Sequence, residues 1–185
     1  MNRTRFACLV LAALALALAV AGCGSSKSHK AAQAGGGATA AEVKSAATGD
    51  IPDSQVFLTF KNAAAGYSIR YPEGWARKGA ASDVTFQDKD NQVHVVVKPG
   101  SKSPAPPGRV TKPAHKLTIH GLSVEALTYA TESAPNAVTG KRVKLTTDRY
   151  VYPGKGRVAV VDLASPVGVD NVDAYRMISE SFRWQ

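Results

Sequence analysis

The sequence predicts an α+β domain in which an antiparallel β-sheet of about six to seven strands carries a C-terminal helix packed on it. Between residues 55 and 185, many apolar residues fall into short runs bounded by Gly, Pro, Asn and Asp, which is typical of strands. The links between successive runs are short, and this favours antiparallel pairing because parallel crossovers need a dozen or more residues. Only the last segment repeats apolar residues at the spacing of a helix.

Eight segments have the length and pattern of strands. The polar residues at 88–91 and the Pro-Gly-Lys-Gly sequence at 153–156 each predict the turn of a hairpin. The runs at 94–97 and 158–161 consist almost entirely of Val and Ala, which indicates central strands covered on both faces. In chain order, the predicted strands cover residues 56–60, 67–71, 83–87, 92–98, 116–119, 123–130, 141–152 and 157–163.

The segment from residue 170 onward predicts the helix. An Asp-Asn pair at 170–171 supplies an N-capping residue, and an acidic residue in the first turn suits the positive end of the helix. After the helix, Phe182 and Trp184 alternate with Arg183, so we expect a short extended ending with two aromatic side chains turned inward. The apolar residues at helical spacing are Val172, Tyr175 and Ile178.

Residues 1–22 have the composition of an export signal. Arg3 and Arg5 precede an apolar run at 6–21, which is shorter than the ~20 residues of a membrane-spanning helix. Val-Ala-Gly-Cys at 20–23 resembles the bacterial lipobox, and this resemblance implies cleavage between Gly22 and Cys23 and a lipid on the Cys23 sulfur. The alternative is an ordinary secretory signal with an incidental cysteine. Lipidation would occupy the one thiol left in the mature chain, because Cys8 lies inside the signal.

Residues 23–54, from the lipidated cysteine onward, predict a disordered tether. This stretch is rich in Gly, Ser, Ala and Lys and has almost no large apolar residue, so it cannot bury enough surface to offset the entropy of ordering. Residues 55–185 have the length of one domain with one core.

Three short stretches resemble a known family. They are Gly-Tyr-Ser-Ile-Arg-Tyr-Pro-Glu-Gly-Trp at 66–75, Val-Thr-Phe at 84–86 and Ser-Phe-Arg-Trp at 181–184. The first two resemble the N-terminal signature of PsbP-like domains, which have the Mog1-type fold, and the third resembles their C-terminal ending. The resemblance implies an antiparallel sheet sandwiched by helices and an accessory or binding protein rather than one catalytic type. A photosystem role does not carry over, because the chain is poor in the extra helices of PsbP itself.

The sequence predicts no catalytic residue, no cofactor and no metal site. It has no phosphate-binding loop and no Gly-x-Ser-x-Gly motif. His94, His115 and His120 have no cysteine to assist them, and His115 and His120 are badly spaced for one metal ion. The acidic turn at 88–91 lacks the glycine and glutamate of a calcium loop.

Two basic segments are candidate contact surfaces. The first is a Pro-rich stretch at 104–107, predicted as a long exposed loop that touches polyanions or a partner, or as a simple solvated loop. The second follows residue 138, where cross-strand ion pairs with Asp162 or Glu125 are the alternative explanation of the charges. The basic residues around the loop are Lys98, Lys102, Arg109, Lys112, His115 and Lys116, and the possible partner surface of the second segment is Arg142, Lys144, Arg149, Tyr150 and Tyr152.

These features predict a non-catalytic, membrane-anchored extracytoplasmic lipoprotein that acts as an accessory or protein-interaction module of the cell envelope. The alternative is a lipoprotein that binds a small ligand in a pocket between sheet and helix. The expected partners are the membrane, through the lipid anchor, and another envelope protein. Nucleic acid is not expected, because export removes the protein from it. The net charge of +9 becomes +7 without the signal, and it would hold the domain near anionic surfaces. The expected location is the outer face of the cell membrane, or the outer membrane in a cell with two membranes.

Overall fold

The structure is a computed structural model that describes residues 49–185. The predicted export signal, Gly22, Cys23 and the tether up to residue 48 lie outside the described residues. In this part of the chain, no helix is long and apolar enough to cross a membrane.

The described residues form ten strands and one helix. In chain order they are β1 (Phe57–Asn62), β2 (Tyr67–Pro72), β3 (Ala76–Ala80), β4 (Asp83–Asp88), β5 (Asn91–Pro99), β6 (Arg109–Ile119), β7 (Leu122–Glu132), β8 (Lys144–Gly154), β9 (Arg157–Pro166), α1 (Val172–Glu180) and β10 (Arg183–Trp184).

The strands make two antiparallel sheets. The larger sheet has seven strands in the order β3-β4-β5-β9-β8-β7-β6, and β1, β2 and β10 form a separate small sheet. The predicted α+β class with six to seven strands and a C-terminal helix is therefore confirmed. The resemblance implied helices on both faces of the sheet, whereas the described residues contain one helix.

The two predicted hairpins are confirmed. Asp88 pairs with Asn91 across the first turn, and Gly154 pairs with Arg157 across the second. Positive φ angles of 51° at Lys89 and 66° at Gly156 give these two-residue turns their geometry. The strands predicted at 92–98 and 157–163 are β5 and β9, which pair with each other in the interior of the large sheet.

Two strands differ from the prediction. β3 was not predicted, because all five of its residues are exposed and it has no apolar pattern; pairing with β4 alone makes it a strand. β6 begins at Arg109 instead of residue 116, so half of the expected loop is an edge strand paired with β7. In both segments the strand is formed by backbone pairing with a neighbouring strand, and the spacing of apolar residues gives no indication of such pairing.

The core lies between one face of the large sheet and a layer formed by the small sheet and α1. The Phe182 ring stacks on Tyr152 and Tyr67, with ring centroids 4.3 and 5.6 Å apart. Full burial of such a side chain stabilises a fold by roughly 1.5–3 kcal/mol. The largest fully buried side chains include Tyr67, Ile69, Phe86, Tyr152, Leu163, Ile178 and Phe182.

The helix begins where the sequence predicts, but tertiary contacts fix its start. Asn171 is the N-cap residue, yet its side chain makes no capping hydrogen bond. It accepts a hydrogen bond from the Ile51 backbone at 2.7 Å and donates to Ser165 and Asn91. The prediction that Val172 lies on the buried face is wrong, because this side chain is 72% exposed. The buried face of the helix includes Ala174 instead.

Candidate functional site

The face of the large sheet that points away from α1 carries a row of polar side chains. Arg149 on β8 lies opposite Asp162 on β9, and Asp162 lies opposite His94 on β5. Because residues that lie directly opposite each other in an antiparallel sheet project to the same side, these three side chains share one face of three adjacent strands.

Arg149 and Asp162 form a buried, two-pronged ion pair. The Arg149 Nε and Nη2 atoms donate to the two carboxylate oxygens of Asp162, each at 2.7 Å. Only 4% of Arg149 and 8% of Asp162 are exposed. Burial on its own would lower the pKa of Arg149, but the hydrogen bonds and charge of Asp162 outweigh it and raise that pKa. The guanidinium therefore stays charged, and its two hydrogen bonds to Asp162 are of the strong, charge-assisted kind.

Tyr129 completes this polar row from β7. Its ring lies 5.2 Å from the Arg149 guanidinium carbon, a distance at which a cation is attracted to an aromatic face. Burial, together with the negative charge of Asp162, raises the pKa of Tyr129 to about 12. The hydroxyl is therefore protonated at physiological pH and can donate a hydrogen bond.

The Pro-rich loop at 100–108 is held against the same face. Arg149 Nη1 donates to the backbone oxygen of Pro104 at 2.9 Å, so one guanidinium joins the sheet, its partner carboxylate and the loop. At the far end of the loop, a Cβ on Gly108 would lie 2.1 Å from the Ala130 backbone oxygen, so only glycine permits this close approach.

These groups line a cleft of about 370 Å³. His94 stands at one side, where its Nε2 atom is 2.9 Å from Asp83 Oδ1. The volume suits a small polar molecule, and the lining offers mainly hydroxyl, amide and carboxylate groups. The lining side chains include Gln87, Asp90, Gln92, His94, Tyr129, Thr131, Glu132, Thr147, Arg149 and Asp162.

The five residues of the predicted partner surface do not form one surface. Tyr152 is fully buried and donates to the Ser179 backbone oxygen at 2.7 Å, and Arg149 is buried on the opposite face. Tyr150 is half-buried against the core, whereas Arg142 and Lys144 are exposed. The prediction misses the burial because β8 is an interior strand with both faces covered. The alternative explanation, a cross-strand ion pair with Asp162, is correct for Arg149.

The other candidate groups are also separated. Of the basic residues around the Pro-rich stretch, the four from Arg109 to Lys116 lie on β6 rather than in a loop. His120 contacts the Glu180 backbone oxygen at 2.6 Å, far from the contact of His94 with Asp83. In the described part of the chain, no three potential metal ligands come together.

The expected ligand pocket between sheet and helix is not where the cleft lies. The space between the large sheet and α1 is filled by buried side chains, including Tyr175 and Ile178, and the cleft opens on the opposite face. A second concavity of about 560 Å³ lies beside Trp184 and the β8–β9 turn, where Arg157 covers the indole ring at 4.2 Å. Trp75 is half-buried against the core.

Sequence reasoning identified Asp162 but missed the cleft around it. One signal was present: a single aspartate follows the apolar run of β9, and a carboxylate buried in a central strand needs a partner. The contributions of Tyr129 and His94 depend on the register between strands that are far apart in sequence, which no local pattern reports.

The two sheets and α1 together make a PsbP-like fold, as the sequence resemblance predicts. Among solved structures, the chain is similar to the solution structure of cyanobacterial PsbP (CyanoP) from Synechocystis sp. PCC 6803, with a TM-score of 0.51 and 16% identity. That match covers 74% of this chain and 98% of the other.

A second similar structure is a protein from Bacteroides thetaiotaomicron VPI-5482, with a TM-score of 0.49 and 10% identity. The match covers 69% of this chain but spans only about half, 48%, of that protein's length. No protein-family model and no curated protein matches the chain.

Proposed function

We propose that the protein is an extracytoplasmic lipoprotein, anchored through Cys23, whose PsbP-like domain is a non-catalytic accessory module that binds another protein of the cell envelope. The observation that carries the proposal is the use of the most buried charges in the domain. Arg149 donates two hydrogen bonds to Asp162 and one to the Pro104 backbone, so these contacts give it a structural role, which is to hold the loop against the sheet.

The predicted tether suits this role. Confinement of a domain near a membrane raises its effective concentration for neighbouring proteins, so weak contacts are sufficient for binding. An accessory module of this kind needs an exposed surface and a stable scaffold but no reactive group.

Crosslinking in living cells of the native host tests this function. We expect the anchored chain to capture one abundant envelope protein, identified by mass spectrometry, and the unanchored Cys23→Ser variant to capture it several-fold less. An unrelated lipoprotein of similar abundance is the control for random neighbours. Capture of the same proteins by this control and by the wild type would contradict the accessory role.

A second candidate function is the binding of a small polar ligand, and the cleft of about 370 Å³ favours it. Native mass spectrometry of protein purified from its host would reveal a bound molecule. The Thr131→Trp variant, which places a large ring in the cleft, should then lose that molecule while the exposed Thr118→Trp variant keeps it. Equal amounts of bound molecule on the two variants would show that the ligand binds outside the cleft.

A further inference from the structure

One end of the large sheet gathers exposed basic residues. β6 begins, β7 ends, β8 begins and β9 ends at this end, because neighbouring strands are antiparallel. Val167, just after β9, donates its backbone N–H to the Lys144 oxygen at 3.0 Å, and both line a shallow groove with Arg109. We call this surface the basic end and define it as Arg109, Val138, Lys141, Arg142, Lys144 and Val167.

The charges of the basic end are available to a partner. Its four cationic side chains are exposed, and none of them is in an ion pair among the described residues. Arg142 donates to the Ser133 backbone oxygen at 2.9 Å, which orients the guanidinium without neutralising it. The nearest acidic residue in the pairing register is Glu132, opposite Lys144, so positive charge dominates.

Two apolar side chains project beside these charges. Val138, in the β7–β8 loop, is 93% exposed, and Val167 is 63% exposed. The loop tip is ordered by Asn136, whose Oδ1 accepts hydrogen bonds from the Val138 and Thr139 backbones at 3.0 and 2.9 Å. Exposed valines held next to lysine and arginine make a surface that is both apolar and cationic.

The chain reaches the domain at the same end. A Cβ on Gly49 would lie 3.5 Å from Val169 and 4.0 Å from Pro166, and the Gly49 oxygen accepts a hydrogen bond from Asn91. Only 25 residues separate Cys23 from Gly49, and a coil of this length has a typical reach of ~30 Å. An anchor at Cys23 would therefore keep this end of the domain near the membrane.

We propose that the basic end docks on anionic lipid headgroups, with Val138 entering the headgroup layer. This inference rests on the proposed lipid anchor. Cations close to an anionic membrane are attracted over about one Debye length, which a short tether brings within reach. The acidic residues of the same end lie on its other side: Asp88 and Asp90 are in the β4–β5 turn, and Asp53, Asp170 and Asp173 surround the start of α1. The domain therefore tilts with its β6–β8 side towards the lipid.

The test uses the mature lipidated chain in vesicles. With the Cys23 thiol occupied, Val138→Cys supplies one reactive thiol for an environment-sensitive dye, and Lys155→Cys labels the opposite end as a control. We expect a blue shift of the dye at position 138 in phosphatidylglycerol vesicles, but not in phosphatidylcholine vesicles, and its reversal by salt. No shift in phosphatidylglycerol, or an equal shift at position 155, would overturn the proposal.

Charge variants separate a specific surface from general attraction. Replacing Lys141, Arg142 and Lys144 by Ala should reduce the shift at position 138 several-fold. Replacing three exposed lysines elsewhere, Lys98, Lys102 and Lys155, by Ala should leave most of it. Equal losses in the two triple variants would overturn the docking surface. A shift that occurs only in native membranes containing protein would overturn the lipid proposal in favour of an acidic protein partner.

The intact mass of the reconstituted chain reports the lipid on Cys23 independently of the dye. A lipidated chain without the shift refutes the docking surface and leaves the anchor standing. A chain without lipid refutes the proposed anchor, and with it this inference.

Discussion

Arg149 and Asp162 show how one pair of residues organises a sheet face. Two charges taken out of water are costly, and they are tolerated here because both carboxylate oxygens and three guanidinium N–H groups have partners. The pair also holds the Pro-rich loop, so it links the packing of the sheet to the shape of the cleft.

Removing one partner of the pair should therefore destabilise the domain strongly. We expect Arg149→Met to lower the free energy of unfolding by about 3–5 kcal/mol, because Asp162 is left buried and unpaired. Urea denaturation of the wild type and the variant measures this difference in the free energy of unfolding. The matched control is Arg176→Met, since Arg176 pairs with Asp173 at 3.2 Å on the surface and should cost less than ~1 kcal/mol. Similar losses in the two variants would contradict a structural role for the buried pair.

The buried tyrosines make stability depend on alkaline pH. Burial raises the pKa of both Tyr129 and Tyr175 from 10.0 to about 12. A raised folded-state pKa contributes stability that is complete below the unfolded pKa and is lost as the pH rises towards the folded pKa. The free energy of unfolding should thus fall on the order of 2 kcal/mol per tyrosine as the pH rises from about 10 to about 12.

Urea unfolding at several alkaline pH values tests this dependence. The Tyr129→Phe variant is the control, because it removes one titrating group and should show a shallower fall. A free energy of unfolding that stays constant above the tyrosine pKa of the unfolded chain would contradict the assignment of these hydroxyls as buried and protonated.

At the scale of elements, the exposed edge strand β6 is protected against pairing with other chains. Nine of its eleven residues are exposed, and it carries Pro113 and two irregularities in its register with β7. Proline, lysine and bulges are the features by which natural edge strands avoid aggregation.

Removing these features of β6 should allow the exposed strand to pair with β6 of another copy of the chain. We expect the double variant Lys112→Val/Pro113→Val to self-associate at concentrations where the wild type is monodisperse, as measured by light scattering. The control, Thr118→Val, adds an apolar side chain to the same strand but leaves the proline and the charge. Self-association of the control to the same degree would show that added hydrophobicity, not edge protection, is responsible.

The elements that the sequence predicts well are those in which pattern and burial agree. α1 and the hairpin turns are predicted because helical spacing and turn residues are local signals. β3 and the first half of β6 are not predicted, because their residues are exposed and show no apolar pattern. They are strands because their backbones pair with β4 and β7. The separate small sheet is not predictable for a different reason, because β10 joins β2 from the far end of the chain and no local pattern indicates this pairing.

The candidate site is less predictable than the fold. The possible partner surface included Arg149 and Tyr152, but β8 is an interior strand that buries Tyr152 on one face and Arg149 on the other. The cleft combines side chains of several strands, and their meeting depends on the strand order of the sheet.

The whole molecule combines a predicted export signal, a predicted lipid anchor and tether, and a PsbP-like domain with its own core. We propose that the domain supplies the scaffold for binding and that an anchor at Cys23 sets where that binding takes place. The accessory role at the membrane and the docking of the basic end both depend on a lipid at Cys23, whereas ligand binding in the cleft does not.

We expect Cys23→Ser to abolish membrane attachment without affecting the fold. Fractionation of cells should find the wild type with the membranes and the variant in the soluble or secreted fraction. Circular dichroism of purified protein should give the same spectrum for both. The control is Ser25→Ala, which changes a neighbouring hydroxyl and should leave attachment unchanged. Membrane retention of Cys23→Ser at the wild-type level would argue against the anchor.

The most direct measurement is the intact mass of the chain extracted from membranes of its native host. We expect a chain that begins at Cys23 and carries the added mass of a diacylglyceryl group on that residue. A chain that retains residues 1–22, or that begins at or near Cys23 without any added lipid, would contradict the proposed lipid anchor.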